Sequence, residues 1–438
     1  APGLPASWIG VPGRRHAASS FSTRRRIVGK LDLHAGYSMS LSFLPKLVKN
    51  GSLANMSVRG LSPGQGYRAV ILPVREKNRY LIYEGEAGDY GSLSWAQPVD
   101  WVGDALVDIF VLGKTQAFCT FHIYALQPEI ANLRPLRCDF HIHTSYSDGT
   151  RLPAEMVVRG RELGLDALAI TDHNYYQASL EAIEFVRKSG LGITCFPGEE
   201  VTSPTWHLLS IGADAPVGYN DDQAGYTGMR DTLGMIHQRG GKAFLAHPYW
   251  ISGRRINQPM EEYERLLSEG GIDGIELLGD VPWEENLRSL VRYSELDSTT
   301  KLAILGNSDT HSPEHTFGSY WTLVFARSNS QADILAAILD QRSVACMLMP
   351  MGPASHPVIP RLLAHGPFEL VDLAIFLQEH YFPQHDALCL QEAELGRRFL
   401  GGDLQREGPL QAVQAALETY YSQSFGVASR NRLAGENL

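Results

Sequence analysis

The chain has 438 residues, 44% of them hydrophobic, enough to build two or three cores. Acidic residues outnumber basic ones 48 to 38, a formal charge of −10, so the surface as a whole repels a phosphodiester backbone and nucleic acid is not the expected partner. The five cysteines (Cys119, Cys138, Cys195, Cys346, Cys389) are odd in number, widely spaced and free of CxxC pairs, which reads as reduced thiols of a cytoplasmic protein; no apolar run reaches the roughly twenty residues needed to cross a bilayer, so no membrane partner is expected.

Residues 1–26 carry arginines with no apolar run behind them, which argues against a secretory signal and reads as a flexible arm. From 27 to 135, short apolar runs such as YRAVILPV, RYLIYEG, VDIFVLG and AFCTFHIYAL alternate with polar residues and are separated by glycine and proline turns. That period of two predicts an antiparallel β domain. His122, inside one of these runs, reads as a packed core residue rather than a ligand.

Over 136–348 the rhythm changes. CDFHIHT is followed by PAEMVVRGRELG, DALAITDH by QASLEAIEFVRKSG, KAFLAHP by MEEYERLLSEG, and GIDGIELLG by ENLRSLVRYSEL. Strand and helix in strict alternation predict parallel strands joined by crossover helices, and seven or so such units favour a closed α/β barrel with its chemistry at the C-terminal strand ends. From 349 to 438 a proline-rich linker, MPMGPASHPVIP, leads into helical stretches, FELVDLAIFLQEHY and PLQAVQAALETYYSQ. These are expected to pack on the barrel or on a second copy of the chain, with a frayed end, ASRNRLAGENL.

The strand ends collect a particular set of side chains. In CDFHIHTSYSDGT, His141 and His143 lie two apart on a strand and so face the same way, with Asp148 in the loop behind them. The next strand ends in Asp172 and His173. PGEEVT supplies Glu199 and Glu200, which point to opposite faces, so only one can look into a site. His207 starts the following run, His247 ends KAFLAHP, and Asp309 with His311 repeats the two-residue spacing. Each has a plainer explanation alone: Asp148-Gly149 is a common turn pair, Asp172 could cap a helix, and a carboxylate pair is ordinarily solvated. Together, six histidines and at least three carboxylates fall where separate strands end. Imidazoles and carboxylates without thiolates suit Zn²⁺, Mn²⁺ or Fe²⁺, and this many donors fit two or three ions bridged by a carboxylate, which can create a hydroxide nucleophile.

The motifs HIHTSYSDGT, ITDHN, PGEEVT with the later WHLLS, AHPYW and NSDTH run in order through roughly residues 137–347, and in this the chain resembles the polymerase-and-histidinol-phosphatase (PHP) family. The resemblance implies a distorted seven-stranded β/α barrel with a trinuclear metal centre at its mouth. It implies that His141, His143 and Asp309 bind a first ion, that Glu200 bridges it to a second completed by His207 and His247, and that Asp148, His173 and His311 hold a third. Only 39 residues separate His207 from His247, where PHP nucleotide phosphatases carry a long insertion, and the preceding β domain resembles the carbaryl-hydrolase branch, whose substrates are carbamates, carboxylic esters and amides.

The expected activity is therefore hydrolysis of a small-molecule phosphate ester by a metal-bridged hydroxide. The alternatives are a carbamate, ester or amide hydrolase and a noncatalytic metal-binding scaffold. Glu200 is the bridge, His311 helps hold the ion that takes a substrate oxygen, and Asp172 is a proton shuttle or an orienting partner of a ligand histidine. In YWISGRR, Tyr249 and Trp250 are placed to stack on a planar leaving group and Arg254 and Arg255 to clamp a phosphate or carboxylate, against the plain alternative of a surface loop.

Overall fold

The structure, a computed structural model, describes residues 41–76, 78–219, 225–252, 255–256, 260–296, 302–351, 359–403 and 407–426. The expected N-terminal arm, the first residues of the β domain and the frayed C-terminal end lie outside the described residues.

Among the described residues, the first part is built from eight strands: β1 (Ser42–Leu44), β2 (Leu47–Lys49), β3 (Leu53–Arg59), β4 (Gly66–Pro73), β5 (Leu81–Glu86), β6 (Ser92–Pro98), β7 (Gly103–Val111) and β8 (Cys119–Leu126). They form a three-stranded sheet, β1-β3-β6, and a five-stranded sheet, β2-β8-β7-β4-β5. Every pairing is antiparallel except the short β2–β8 ladder. Burial alternates along β6 and β7 because successive side chains point to opposite faces, and the inward set includes Met56, Val58, Leu93, Trp95, Val107 and Ile109. His122 departs from expectation. It is half-buried, with Nδ1 3.1 Å from the Asp104 carboxylate and its ring stacked 4.4 Å from that of His380.

The second part runs β9 (Arg134–Asp139), α1 (Pro153–Glu162), β10 (Ala167–Ala169), α2 (Gln177–Ser189), β11 (Thr194–Phe196), β12 (Gly198–Thr202), β13 (His207–Ile211), α3 (Gly225–Gln238) and β14 (Lys242–Leu245). It continues through the short pair β15 (Ile251–Ser252) and β16 (Arg255–Ile256), then α4 (Met260–Glu269), β17 (Gly274–Leu278), α5 (Trp283–Glu295), β18 (Ala303–Gly306), β19 (Tyr320–Ala326), α6 (Gln331–Leu339) and β20 (Ser343–Met351). The last elements are β21 (Ile359–His365), α7 (Phe368–His380), α8 (Phe382–Leu400) and α9 (Glu407–Phe425).

Alternation predicts parallel strands throughout, whereas the strands pair in a mixed parallel and antiparallel pattern. They make two sheets, β11-β10-β9-β19-β20-β21 and β12-β13-β14-β17-β18, which meet among the described residues at the isolated bridges Ile142↔Thr310 and His173↔Glu200. Three local causes are visible. Pro197, the single residue between β11 and β12, has no N–H to carry a ladder onward. The link from β12 to β13 is too short for a crossover helix, so the two pair antiparallel. No helix intervenes between β18 and β19, and β19 accordingly enters antiparallel to β9. The parallel ladders are β9–β10–β11 and β14–β17–β18, where helices do intervene.

The C-terminal segment also departs from expectation. The stretch read as a proline-rich linker contributes β20 and β21, an antiparallel pair that extends the first sheet, so position 348/349 falls inside a strand; residues 352–358 lie outside the described residues. The helices α7–α9 pack on this chain. Lys46 Nζ donates to His380 O at 2.5 Å and to Tyr420 Oη at 3.1 Å, and Tyr124 Oη donates to Asp372 at 2.7 Å, joining the β strands to α7 and α9. No helix among the described residues is long and apolar enough to cross a membrane.

Beneath β9 and β10 a buried polar network ties α8 to the sheet. Arg161 bonds Asp166 at 3.0 Å and Glu392 at 2.8 Å, His385 Nε2 lies 3.1 Å from Asp166, and Arg137 N donates to the other Asp166 oxygen. Burial pushes the Asp166 carboxyl up, but His385 and Arg161 outweigh it and hold the group at about 2. A carboxylate depressed from its ordinary value of about 3.9 adds stability above that value and loses it as pH falls through the folded value. Asp166→Asn is therefore expected to lower the melting temperature at pH 6 and to converge on wild type as acid titrates this carboxylate between about pH 4 and pH 2. Thermal melts across that range check it, and a constant gap would count against the assignment.

Candidate metal centre

β9 ends at Asp139, and the chain runs on extended through His141 and His143, held by the Ile142↔Thr310 bridge and by His143 N donating to Thr310 O at 2.9 Å. The two imidazoles share one face, as side chains two apart must, and their Nε2 atoms lie 3.1 Å apart with neither ring exposed. Asp309, just past β18, places Oδ1 3.2 Å from His141 Nε2 and 3.0 Å from His143 Nε2. Asp309 (φ +47°) and His247 (φ +27°) both adopt left-handed backbone that non-glycine residues avoid, a strain that clusters where side chains are held for function.

The central group is Glu200 on β12. Its Oε1 lies 2.8 Å from His207 Nδ1, 3.0 Å from His247 Nε2 and 3.4 Å from His141 Nε2, and its Oε2 lies 2.6 Å from His173 Nδ1 and 3.5 Å from His143 Nε2. Glu199 points to the opposite face and accepts from Val217 N and Gly218 N. At the rim, Asp148 spans His311 at 3.3 Å and His173 at 3.5 Å. Its loop closes tightly, for a Cβ on Gly149 would meet His143 backbone at 2.6 Å. Exposure rises outward, from nothing at His141, His143 and Glu200 to 41% at the His311 side chain and 54% at that of Asp148, so the inner donors are closed off while the rim can meet a solute.

The nine donors fall into overlapping groups: His141/His143/Asp309, His141/Glu200/His247, His173/Glu200/His207 and His143/Asp148/His173/His311. The electrostatics show what protons do there. Burial pushes His141 down, but Asp309, Glu276 and Glu200 raise it well above its ordinary value; His173, against Asp148 and Glu200, is raised to about 10. Burial lowers His143 and His207, and it opposes, without preventing, the depression of Glu200 by His207 and His141 and of Asp309 by His141 and His143. The cluster demands positive charge that its protons supply unevenly. Glu200 Oε2 and Asp309 Oδ1 are buried without an aligned hydrogen bond among the described residues, despite imidazole nitrogens within 3.0 Å. Nitrogen and oxygen donors crowded at about 3 Å around buried, unsatisfied carboxylate oxygens fit shared divalent cations with ligand bonds of about 2.0–2.2 Å.

Several expected substrate and catalytic residues sit elsewhere. Both oxygens of buried Asp172 are engaged by the first loop: Thr144 N (2.8 Å), Thr144 Oγ1 (2.6 Å), Ser147 N (3.1 Å) and Ser147 Oγ (2.5 Å). This is a brace, the orienting role rather than the shuttle, because the carboxylate is wholly buried and engaged by four donors of the first loop. The brace reaches the ligands through Ser147, whose Oγ is 3.4 Å from His143 Nδ1 and 3.3 Å from Asp148. Tyr249 is buried, donates to Glu264 at 2.7 Å and packs against Tyr263, which corrects its stacking role. Trp250 stays at the site, its ring 5.0 Å from His247 and 6.1 Å from His207. Arg254 and the Arg255 side chain lie outside the described residues.

Sequence reading passed over Asp139, Glu276 and Asn307. Asp139 Oδ1 accepts from His141 N at 3.3 Å and Ser308 N at 3.1 Å, and burial pushes its carboxyl up to about 7. Glu276 meets His141 Nδ1 at 2.9 Å. A signal existed, since a glutamate inside the apolar strand run GIELL is buried only when its partners are waiting. Truncating the brace, Asp172→Ala, strands the Thr144 and Ser147 donors, and a loss of about 1–3 kcal/mol per stranded group is expected in chemical denaturation of the metal-free protein. A variant as stable as wild type would remove the brace assignment.

A family model described as "PHP domain" matches residues 139–282. Among curated proteins, the chain is 39% identical over 103 residues to the 5'-3' exoribonuclease Rnm of Salmonella typhimurium, 23% of this chain and 33% of that protein. It is 37% identical over 81 residues to the same-named protein of Escherichia coli, 17% of this chain and 27% of that one. The chain thus spans a third or less of the length of these relatives. Among solved structures it is similar to a two-domain protein from Bacteroides vulgatus containing a predicted PHP-like metal-dependent phosphoesterase, at 26% identity and a TM-score of 0.40, over 50% of this chain and 66% of that one.

Proposed function

From the PHP domain that residues 139–282 form, we propose that this chain is a metal-dependent hydrolase acting on phosphate esters of small molecules. The observation that carries the reading is the buried Glu200 carboxylate with four strand-end histidines within 3.4 Å and an oxygen lacking any aligned donor. His141, His143 and Asp309 would hold one ion, His207, His247 and the bridging Glu200 a second, and Asp148, His173 and His311 a third, with Zn²⁺, Mn²⁺ and Fe²⁺ all compatible with the donors. Bound there, divalent ions supply Lewis acidity toward a substrate oxygen and a nucleophile from water.

The chain's own residues do the remaining work. Asp309 and Glu200, held ionised by their histidine neighbours, keep the inner cluster ready for cations. The partly exposed rim of Asp148 and His311 admits the substrate's reacting group, while the Trp250 ring beside His247 and His207 offers an apolar surface for a leaving group. The relatives named exoribonucleases favour a phosphorus centre. A second reading, hydrolysis of a carbamate, ester or amide, is favoured by the short interval from His207 to His247 and by the β sheets that precede the site.

Two measurements test this. Metal analysis of the purified chain is expected to give two to three equivalents, and the His141→Ala variant to lose both metal and activity, because neighbouring donors cannot replace a direct imidazole ligand. A wild-type protein that stays metal-free after reconstitution would exclude the hydrolase reading. Aryl phosphates and aryl esters assayed side by side, with and without chelator, are expected to show chelator-sensitive phosphate release; turnover confined to the aryl esters would move the assignment to the acyl reading.

A further inference from the structure

We propose that Glu276 is a positioning residue which, with Asn307, fixes the His141 ring in its ligating tautomer and locks three strand ends at ligand spacing; the inference rests on the metal-centre reading above. Glu276 stands on β17 and is 3% exposed. Oε1 accepts from His141 Nδ1 at 2.9 Å and from Asn307 Nδ2 at 2.7 Å, while Oε2 accepts from His247 N at 2.6 Å. The Asn307 amide is itself oriented, because its Oδ1 accepts from Phe140 N at 3.0 Å and so turns the NH₂ toward Glu276.

Three donors therefore converge on one side chain, and only an acceptor-only group satisfies them all. With its proton on Nδ1, His141 presents the Nε2 lone pair inward, 3.2 Å from Asp309 and 3.4 Å from Glu200. The bond to His247 N holds that residue at φ +27°, the backbone turn that swings its ring to Glu200. One carboxylate thus ties the ends of β9, β14 and β18, each the source of at least one proposed ligand. A glutamine of the same size cannot do this. Its NH₂ must face either His247 N–H or the His141–Asn307 pair, and in the second case the proton of His141 is driven to Nε2, where the lone pair is needed.

The test uses the full chain, stripped of metal and titrated with Mn²⁺ by calorimetry. Wild type should load; Glu276→Gln should weaken the affected site by about 10–100-fold, and Glu276→Asp, still acceptor-only, should recover part of the loss, a rescue that a mere packing role would not give. Metal-free melting curves report whether each variant folds, and if Glu276→Gln does not, Asn307→Ala takes its place with an expected loss of at least about 3-fold, smaller because the carboxylate remains. Glu276→Gln, or in its place Asn307→Ala, binding Mn²⁺ as tightly as wild type would overturn the proposal, as would an aspartate variant no better than the glutamine one. A wild-type chain that takes up neither Mn²⁺ nor, in parallel titrations, Zn²⁺ or Fe²⁺ would remove the metal reading and this inference together, whereas normal wild-type loading with unaltered variants would remove only the inference.

Discussion

A carboxylate buried among imidazoles is the constraint on which this structure turns. Glu200 is wholly enclosed, and taking such a charge out of water costs several kcal/mol unless opposite charge is brought to it. Proton-bearing or cation-binding nitrogens arrive from strands far apart in the chain, on His141, His173, His207 and His247. Their convergence requires β9, β10, β12, β13 and β14 to end at one place, so the two sheets must abut, and they do so at the bridges Ile142↔Thr310 and His173↔Glu200, beside the cluster. The architecture and the electrostatics enforce one another.

Around this centre lies a ring of groups whose purpose is orientation. Asp172 braces the loop that carries Asp148, Asp139 joins the ends of β9 and β18, and Glu276 spans His141, His247 and Asn307. All three are buried. Strained backbone at His247 and Asp309 survives because these hydrogen bonds over-determine it. At the start of β10, the Arg161–Asp166–His385–Glu392 network secures α8 with paired charges and ties that helix to the sheet whose strands carry ligands.

How far the sequence reveals this depends on whether a feature is written locally. The period-two runs of the β sheets are local, since alternation is a property of consecutive residues, and the antiparallel ladders follow from it. The choice of Glu200 over Glu199 needed the family pattern as well as alternation, and the two do face opposite sides. The mixed strand pairing was not recoverable by counting strand–helix units, because Pro197 and the helix-free passage from β18 to β19 decide pairing through single residues and short links. Tyr249 was misjudged for a related reason. Position beside a motif does not say which way a side chain turns, and this one turns into the protein.

From its order of residues alone, this chain determined which side chains are competent to hold divalent ions and that strand ends carry them, because ligand chemistry and strand periodicity belong to individual residues and their near neighbours. Tertiary structure alone decided which donors share an oxygen, how the sheets meet, and which buried carboxylates orient rather than bind. Those outcomes depend on distances of about 3 Å between groups separated by up to 169 positions, and no local pattern encodes them.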